Sequence, residues 1–220
     1  DYRFASHLDF QRLLERAFRR SGLPLVHSKG FNQRIKISWM NALSLFVESM
    51  GEYLIIELAE VFEDLDKLKE ILNQELPEQA RIVEVTEISS KERLSLEDVL
   101  ETVYTAKLIQ NDELSSQNND LGNTDKDEFQ QKLDQSLTTF LDQGEIVVIG
   151  VKKDPRGKGQ SKNIRDNIIG MQFLDSEQLE LRLTSTQRPD EVLNAFLTNS
   201  KWSICKQEQV FKTTKTPELV

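Results

Sequence analysis

Cysteine is almost absent from this chain: Cys205 stands alone among 220 residues. An internal disulfide is therefore excluded, and so is a protein-held iron–sulfur cluster, which needs three or four thiolates. Histidine is nearly as scarce. His7, His27 and Cys205 lack the spacing of a zinc site, so neither a metal nor any other cofactor is expected. No apolar run approaches the roughly 20 residues of a membrane span, and no secretory leader is expected. These absences lead to the expectation of a cytoplasmic protein without a membrane partner. The chain opens at Asp1 rather than Met, and the expectation is a processed piece or a part of a longer polypeptide.

What is present is charge, unevenly placed. The net charge is −9, yet residues 1–48 carry eight basic against four acidic residues, leaving 20 against 33 in the rest. An acidic chain that concentrates base in one stretch is expected to use it to meet an anion. The overall sign argues against nonspecific coating of long nucleic acid, so any such contact should be local and salt-sensitive.

The hydrophobic pattern gives two similar halves. Ser6 caps a helix running to Arg20, with Leu8, Leu13, Leu14, Ala17 and Phe18 on its apolar face and Gly22 and Pro24 as its stop. Short strands are expected at 25–27, 35–39 and 52–60, a helix at 65–72 and a strand at 81–88. In the second half, a short helical linker at 96–100 leads to a strand at 103–109. A mobile polar loop at 111–127, a helix at 129–141 and a strand at 145–151 follow. After a basic loop at 152–165 come a hairpin at 168–184, a helix opened by Pro189 and a strand at 202–212. The expected fold is α+β: two tandem ferredoxin-like (split βαβ) sandwiches, 1–90 and 91–220, antiparallel sheets with helices on one face. The first strand of the first sandwich is truncated to Tyr2-Arg3-Phe4, and an unpaired sheet edge there could drive homodimerisation.

Four groups of residues are candidates for chemistry. Arg12, Arg16 and Arg20 follow each other at i, i+4 and i+8, a spacing at which like charges repel. Glu15 is placed to relieve Arg19. The arginine face is either solvated or a phosphate-binding face, for which guanidinium forks suit the ligand. Next, Lys29, Phe31, Arg34 and Lys36 occupy the string Ser28–Ser38. There Gly30-Phe31-Asn32 is either a turn with Phe31 tucked inward or an exposed stacking residue between cations. Third, the basic loop holds Lys152, Lys153, Arg156, Lys158, Lys162 and Arg165 against one Asp. Its Gly157-Lys158-Gly159 lacks the spacing of a phosphate-binding P-loop. If the halves pack with pseudo-twofold symmetry, the two basic loops are equivalent. Fourth, His7 and His27 are either packing residues or weak candidates for acid–base catalysis; at a helix start the dipole disfavours the His7 cation.

Several stretches carry a resemblance. Arg3-Phe4-Ala5-Ser6-His7-Leu8-Asp9-Phe10, Glu15 through Leu25, Ser28-Lys29-Gly30-Phe31-Asn32, Lys36-Ile37-Ser38, Val47-Glu48-Ser49 and Gly51-Glu52-Tyr53 resemble the radical-SAM-linked protein family, DUF2344, a domain of unknown function. Looser matches follow at Lys162–Arg165 and Arg188–Leu193. The resemblance implies a partner, since members are encoded beside or fused to a radical SAM protein; it implies no defined activity. Where the family has Pro-His-Pro after Gly-Phe-Asn this chain has Gln33-Arg34-Ile35, and Asp166-Asn167 replace a Pro-Tyr. The function expected is a non-catalytic accessory module that binds RNA or another anionic partner through the basic surface. The alternatives are an adaptor docking on a radical SAM subunit and a metal-independent RNA endonuclease.

Overall fold

A computed structural model of the chain describes residues 2–40, 42–88, 98–110, 123–153, 159–198 and 200–211. The fold is α+β, and the chain divides into two compact units, Asp1–Asp98 and, beginning at β4, Val99–Lys212.

The first unit opens with a 3-10 turn, Tyr2–Phe4, where the truncated strand was expected, and continues into α1, His7–Arg20. Ser6 starts this helix as its sequence position requires. Its Oγ accepts from the Asp9 amide at 3.2 Å and donates to the Asp9 carboxylate at 2.6 Å. Gly22, at φ +70°, supplies the left-handed residue beyond the helix end. The strands are short: β1 (Ile37–Trp39), β2 (Val47–Ser49) and β3 (Leu54–Ile56). β1 and β3 pair antiparallel, Ile37 opposite Ile56 and Trp39 opposite Leu54. Isolated bridges Leu25–Leu58 and His27–Ile35 extend the sheet at its edges. The second helix, α2, is Leu65–Gln74, capped by the Asp64 carboxylate on the Lys67 amide at 2.9 Å. Leu14, Ala17 and Phe18 of α1, Leu68 and Leu72 of α2, and Leu25 and Ile35 form a core against which Ile37, Trp39, Leu54 and Ile56 pack. With Ile35, Ile37 and Trp39 inward, the strand period of two turns Lys36 and Ser38 the other way.

The stretch 81–88 is not a strand. The Asn73 side chain accepts from the Ile82 amide at 2.7 Å and donates to its carbonyl at 2.9 Å. Ile82 and Val85 pack on the core from an irregular segment. One asparagine thus satisfies backbone groups that a ladder would otherwise have to pair.

In the second unit, β4 spans Val99–Gln110, so residues 99 and 100, expected in a helical linker, are extended. α3 (Asn123–Leu141) begins inside the stretch expected to be a loop; residues 111–122 of that stretch lie outside the described residues. β5 (Val147–Lys153) pairs antiparallel with β6 (Gly159–Asn163) as a separate hairpin. Within the stretch 152–165, expected as a loop following a main-sheet strand, residues 152–153 and 159–163 therefore belong to the strands of this hairpin, and residues 154–158 lie outside the described residues. β7 (Ile168–Phe173), β8 (Gln178–Leu183), α4 (Pro189–Phe196) and β9 (Lys201–Phe211) complete the unit. Its sheet runs β9-β4-β8-β7 with every neighbouring pair antiparallel. Helices follow the first and third of these strands in chain order. Leu179, Leu181 and Leu183 are fully buried, as are Ile164 and Val192. Phe196 of α4 lies 5.2 Å from Phe140 of α3 and 6.2 Å from Phe173 of β7, ring centre to ring centre.

Polar side chains tie this unit together. Arg165 donates from Nε to the Leu141 carbonyl at 2.8 Å and from Nη1 to the Ile168 carbonyl at 3.2 Å. Asn163 Oδ1 accepts from the Ile146 and Arg165 amides, both at 3.0 Å. Lys162 meets Glu191 at 3.2 Å, and Gln187, itself buried, donates to the same carboxylate at 3.0 Å. Arg182 on β8 pairs with Glu101 on β4 at 2.6 Å; that hydrogen bond, with Glu180 and Glu208 adding to it, holds the guanidinium above its ordinary pKa. Opposite each other on β4 and β9, Thr102 and Gln209 are buried with Oγ1, Nε2 and Oε1 unpaired among the described residues.

Candidate nucleic-acid interface

The outer surface of α1 follows from its inner one. With Leu14, Ala17 and Phe18 against the core, a 3.6-residue period turns Arg12, Arg16 and Arg19 to solvent and Arg20 to the flank. The carboxylates answer only part of this charge. Asp9 meets Arg12 at 3.3 Å, one turn back at i−3. Glu75, at the end of α2, takes Arg20 at 2.7 Å, and the Arg20 Nη2 also donates to the Glu75 carbonyl at 2.8 Å. Arg20 thereby seals the C-terminus of a helix, where a cation is favoured. Arg16 and Arg19 are exposed and form no ion pair among the described residues; the expected Glu15–Arg19 contact is not made.

The second basic element is a small hairpin tip. The His27–Ile35 bridge and the buried Ile35 anchor it. Above the bridge, the Ser28 amide donates to the Arg34 carbonyl at 2.7 Å and the Arg34 amide donates to Ser28 Oγ at 3.0 Å. Residues 29–33 therefore form a loop pinched at its base. Gly30 stands at φ +138°, and Phe31 projects with an exposure of 110 % of its reference value. Of the two readings open to Gly30-Phe31-Asn32, the outward one is the observed one. Lys29 and Arg34 are exposed without an ion pair among the described residues, whereas Lys36 is joined to Glu57 across the sheet at 2.8 Å. No Asp or Glu occurs in the sequence between Glu15 and Glu48, a signal that marks this segment more sharply than the net charge of residues 1–48.

The structure thus brings Lys29, Phe31 and Arg34 together in one loop and puts Arg16 and Arg19 on one helix face. Arg12, Arg20 and Lys36 are matched by carboxylates. In the second unit Lys162 is held by Glu191, and Arg165 is committed to two carbonyls. The side chains of Lys152 and Lys153, and the whole of Arg156 and Lys158, lie outside the described residues. Thus the late resembling segments, 162–165 and 188–193, hold the unit together through Arg165, Asn163 and Glu191.

His7 is half-buried at the first turn of α1. It shares a 2.8 Å hydrogen bond with Gln11 and lies edge-on to Trp39 at 5.7 Å between ring centres. These are the contacts of a packing residue. His27 is exposed on the bridge below the loop. Among the described residues no three His, Cys, Asp or Glu side chains gather as metal ligands, and no helix is long and apolar enough to cross a membrane. A groove of about 610 Å³ beside the start of α2 is lined by Glu63, Asp64, Asp66 and Glu84 with Lys69, the wrong sign for a phosphate.

A two-unit α+β protein with a basic helix face and a cationic, aromatic-tipped loop is thereby defined. The chain belongs to the DUF2344 family, described as an uncharacterized protein conserved in bacteria, which it matches over residues 1–202. No curated protein and no solved structure matches it.

Proposed function

We propose that the chain is a non-catalytic accessory module that binds RNA through the basic surface of its first unit, working in the cytoplasm with a radical SAM protein. The observation that carries this reading is the set Arg16, Arg19, Lys29 and Arg34. All four are exposed and unpaired among the described residues, in a chain with 37 acidic residues to answer them. Folding has been free to neutralise these cations, as it has Arg12, Arg20 and Lys36. Unanswered guanidinium groups suit phosphate oxygens, which they bind in forked geometry. The basic stretch 152–165 belongs to the same proposal through Lys152, Lys153, Arg156 and Lys158. A tandem ferredoxin-like architecture is part of it too. What supports that for the second unit is the order fourth-first-third-second of its antiparallel strands, with helices after the first and third.

The test is a shift assay with single-stranded RNA at low salt. Arg16→Glu together with Arg34→Glu should weaken binding by about tenfold or more, since two phosphate contacts become repulsions. Unchanged affinity would discard the reading.

A second reading is favoured by a different observation. Phe4 and Phe46, both well exposed, stack edge-to-face at 6.0 Å, and Phe46 holds the left-handed backbone at φ +69°. Leu45, Met50 and Tyr53 are exposed on neighbouring chain. Apolar exposure of this kind suits an adaptor that docks on a protein such as the radical SAM subunit. Copurification that survives nuclease and the two charge reversals, and is lost with Phe46→Asp, would support it.

A further inference from the structure

We infer that the loop Lys29–Gln33 is a base-stacking fingertip, and that the ligand of the basic surface is unpaired, single-stranded nucleic acid rather than duplex. The inference rests on the RNA-binding reading above and narrows it. Phe31 is more exposed than any other large apolar residue among those described; the next, Val61 and Val83, stand at 79 %. Burial of such a ring is among the larger gains available in folding, and this fold forgoes it entirely.

The presentation is built. The Ser28–Arg34 pair of hydrogen bonds closes the loop, and Ile35 roots it in the core, so the tip has a fixed base. Gly30 has the φ that an L side chain rarely adopts, and a Cβ there would meet nothing within 4 Å. The glycine is required by the backbone turn that projects Phe31, not by crowding. Lys29 and Arg34, exposed cations, stand on either side of Phe31 in the sequence.

An aromatic face between two cations matches a nucleotide strand. The ring stacks on one base, and the cations take the phosphates on either side. In a duplex the base faces are already stacked on each other, so the ring finds no partner and only the phosphates remain. Arg16 and Arg19 would add phosphate contacts of their own without distinguishing single strand from duplex.

Phe31→Ala separates the two claims, because a side chain so exposed leaves the fold unchanged. With a fluorescent oligouridylate as probe, the variant should bind about tenfold more weakly, within a range of roughly 5- to 100-fold. A duplex RNA should bind both proteins equally. Phe31→Trp should retain oligouridylate affinity and show indole quenching beyond that of the parent protein. If Phe31→Ala binds oligouridylate as the parent does while Arg16→Glu/Arg34→Glu fails, the stacking inference is wrong and the polyanion reading stands. If neither variant alters binding, both fall. Retention of the parent, but not Phe31→Ala, on phosphatidylserine–phosphatidylcholine vesicles without oligouridylate binding would overturn the inference in favour of a lipid surface.

Discussion

At the scale of single residues, charge has two distinct uses in this chain. Arg165 is structural: it satisfies the carbonyl of Leu141, the last residue of α3, and that of Ile168, the first of β7. Arg165→Ala should destabilise the protein by about 1–3 kcal/mol, as expected for charged hydrogen bonds to half-buried carbonyls, and leave RNA affinity unchanged. Urea unfolding beside a shift assay checks this. Arg16 should behave the opposite way, with Arg16→Ala leaving the unfolding free energy within about 0.5 kcal/mol of the parent and weakening RNA binding. Sequence alone could not separate the two. Arg165 sits in a Lys- and Arg-rich run like a ligand-binding cation, and the carbonyls it serves belong to helix and strand ends whose meeting depends on tertiary packing. Buried polar groups make a third case. Thr102 and Gln209 are opposite each other on β4 and β9 and without side-chain partners among the described residues, so Thr102→Val removes an unsatisfied hydroxyl at nearly constant volume. It should be neutral or stabilising, where a satisfied buried hydroxyl would cost about 1 kcal/mol; thermal unfolding reads the difference.

At the scale of elements, local signals were legible and non-local ones were not. The start of α1 was written in Ser6 and Asp9, and its end in Gly22. Ser6→Ala should cost about 1 kcal/mol, seen in the same urea titration. Residues 81–88 carry strand-forming Ile82, Val83 and Val85, but a strand needs a ladder, and at Ile82 the Asn73 side chain takes both backbone groups instead. β6 is Gly159-Gln160-Ser161-Lys162-Asn163, with no apolar alternation to announce it; it is extended because β5 pairs with it. The reverse error occurred at Val99 and Leu100, where helical spacing of Leu96 and Leu100 hid the beginning of the longest strand. Loop 28–34 shows the limit of turn chemistry as a guide. Gly30-Phe31-Asn32 predicts a turn, but the direction of Phe31 depends on the Ser28–Arg34 clamp. Gly30→Ala should therefore weaken oligouridylate binding nearly as much as Phe31→Ala, by straining the turn rather than removing the ring.

At the scale of the whole chain, a net charge of −9 coexists with a segment from Arg16 to Val47 that contains no carboxylate. Such a distribution limits nonspecific attraction and leaves the proposed anion site as its local exception. The uneven charge was visible from the sequence; which cations are answered was not, because Glu75 and Glu57 reach Arg20 and Lys36 from 55 and 21 residues away. The family match over residues 1–202 extends across both units.

The most direct test is the salt dependence of binding to single-stranded RNA, followed by fluorescence anisotropy. Arg16, Arg19, Lys29 and Arg34, each displacing a counterion, predict a log–log slope near −3, at about −0.7 per phosphate contact, reduced to roughly half by Arg16→Glu/Arg34→Glu. No detectable binding at low salt, or an affinity indifferent both to salt and to those two reversals, would contradict the account.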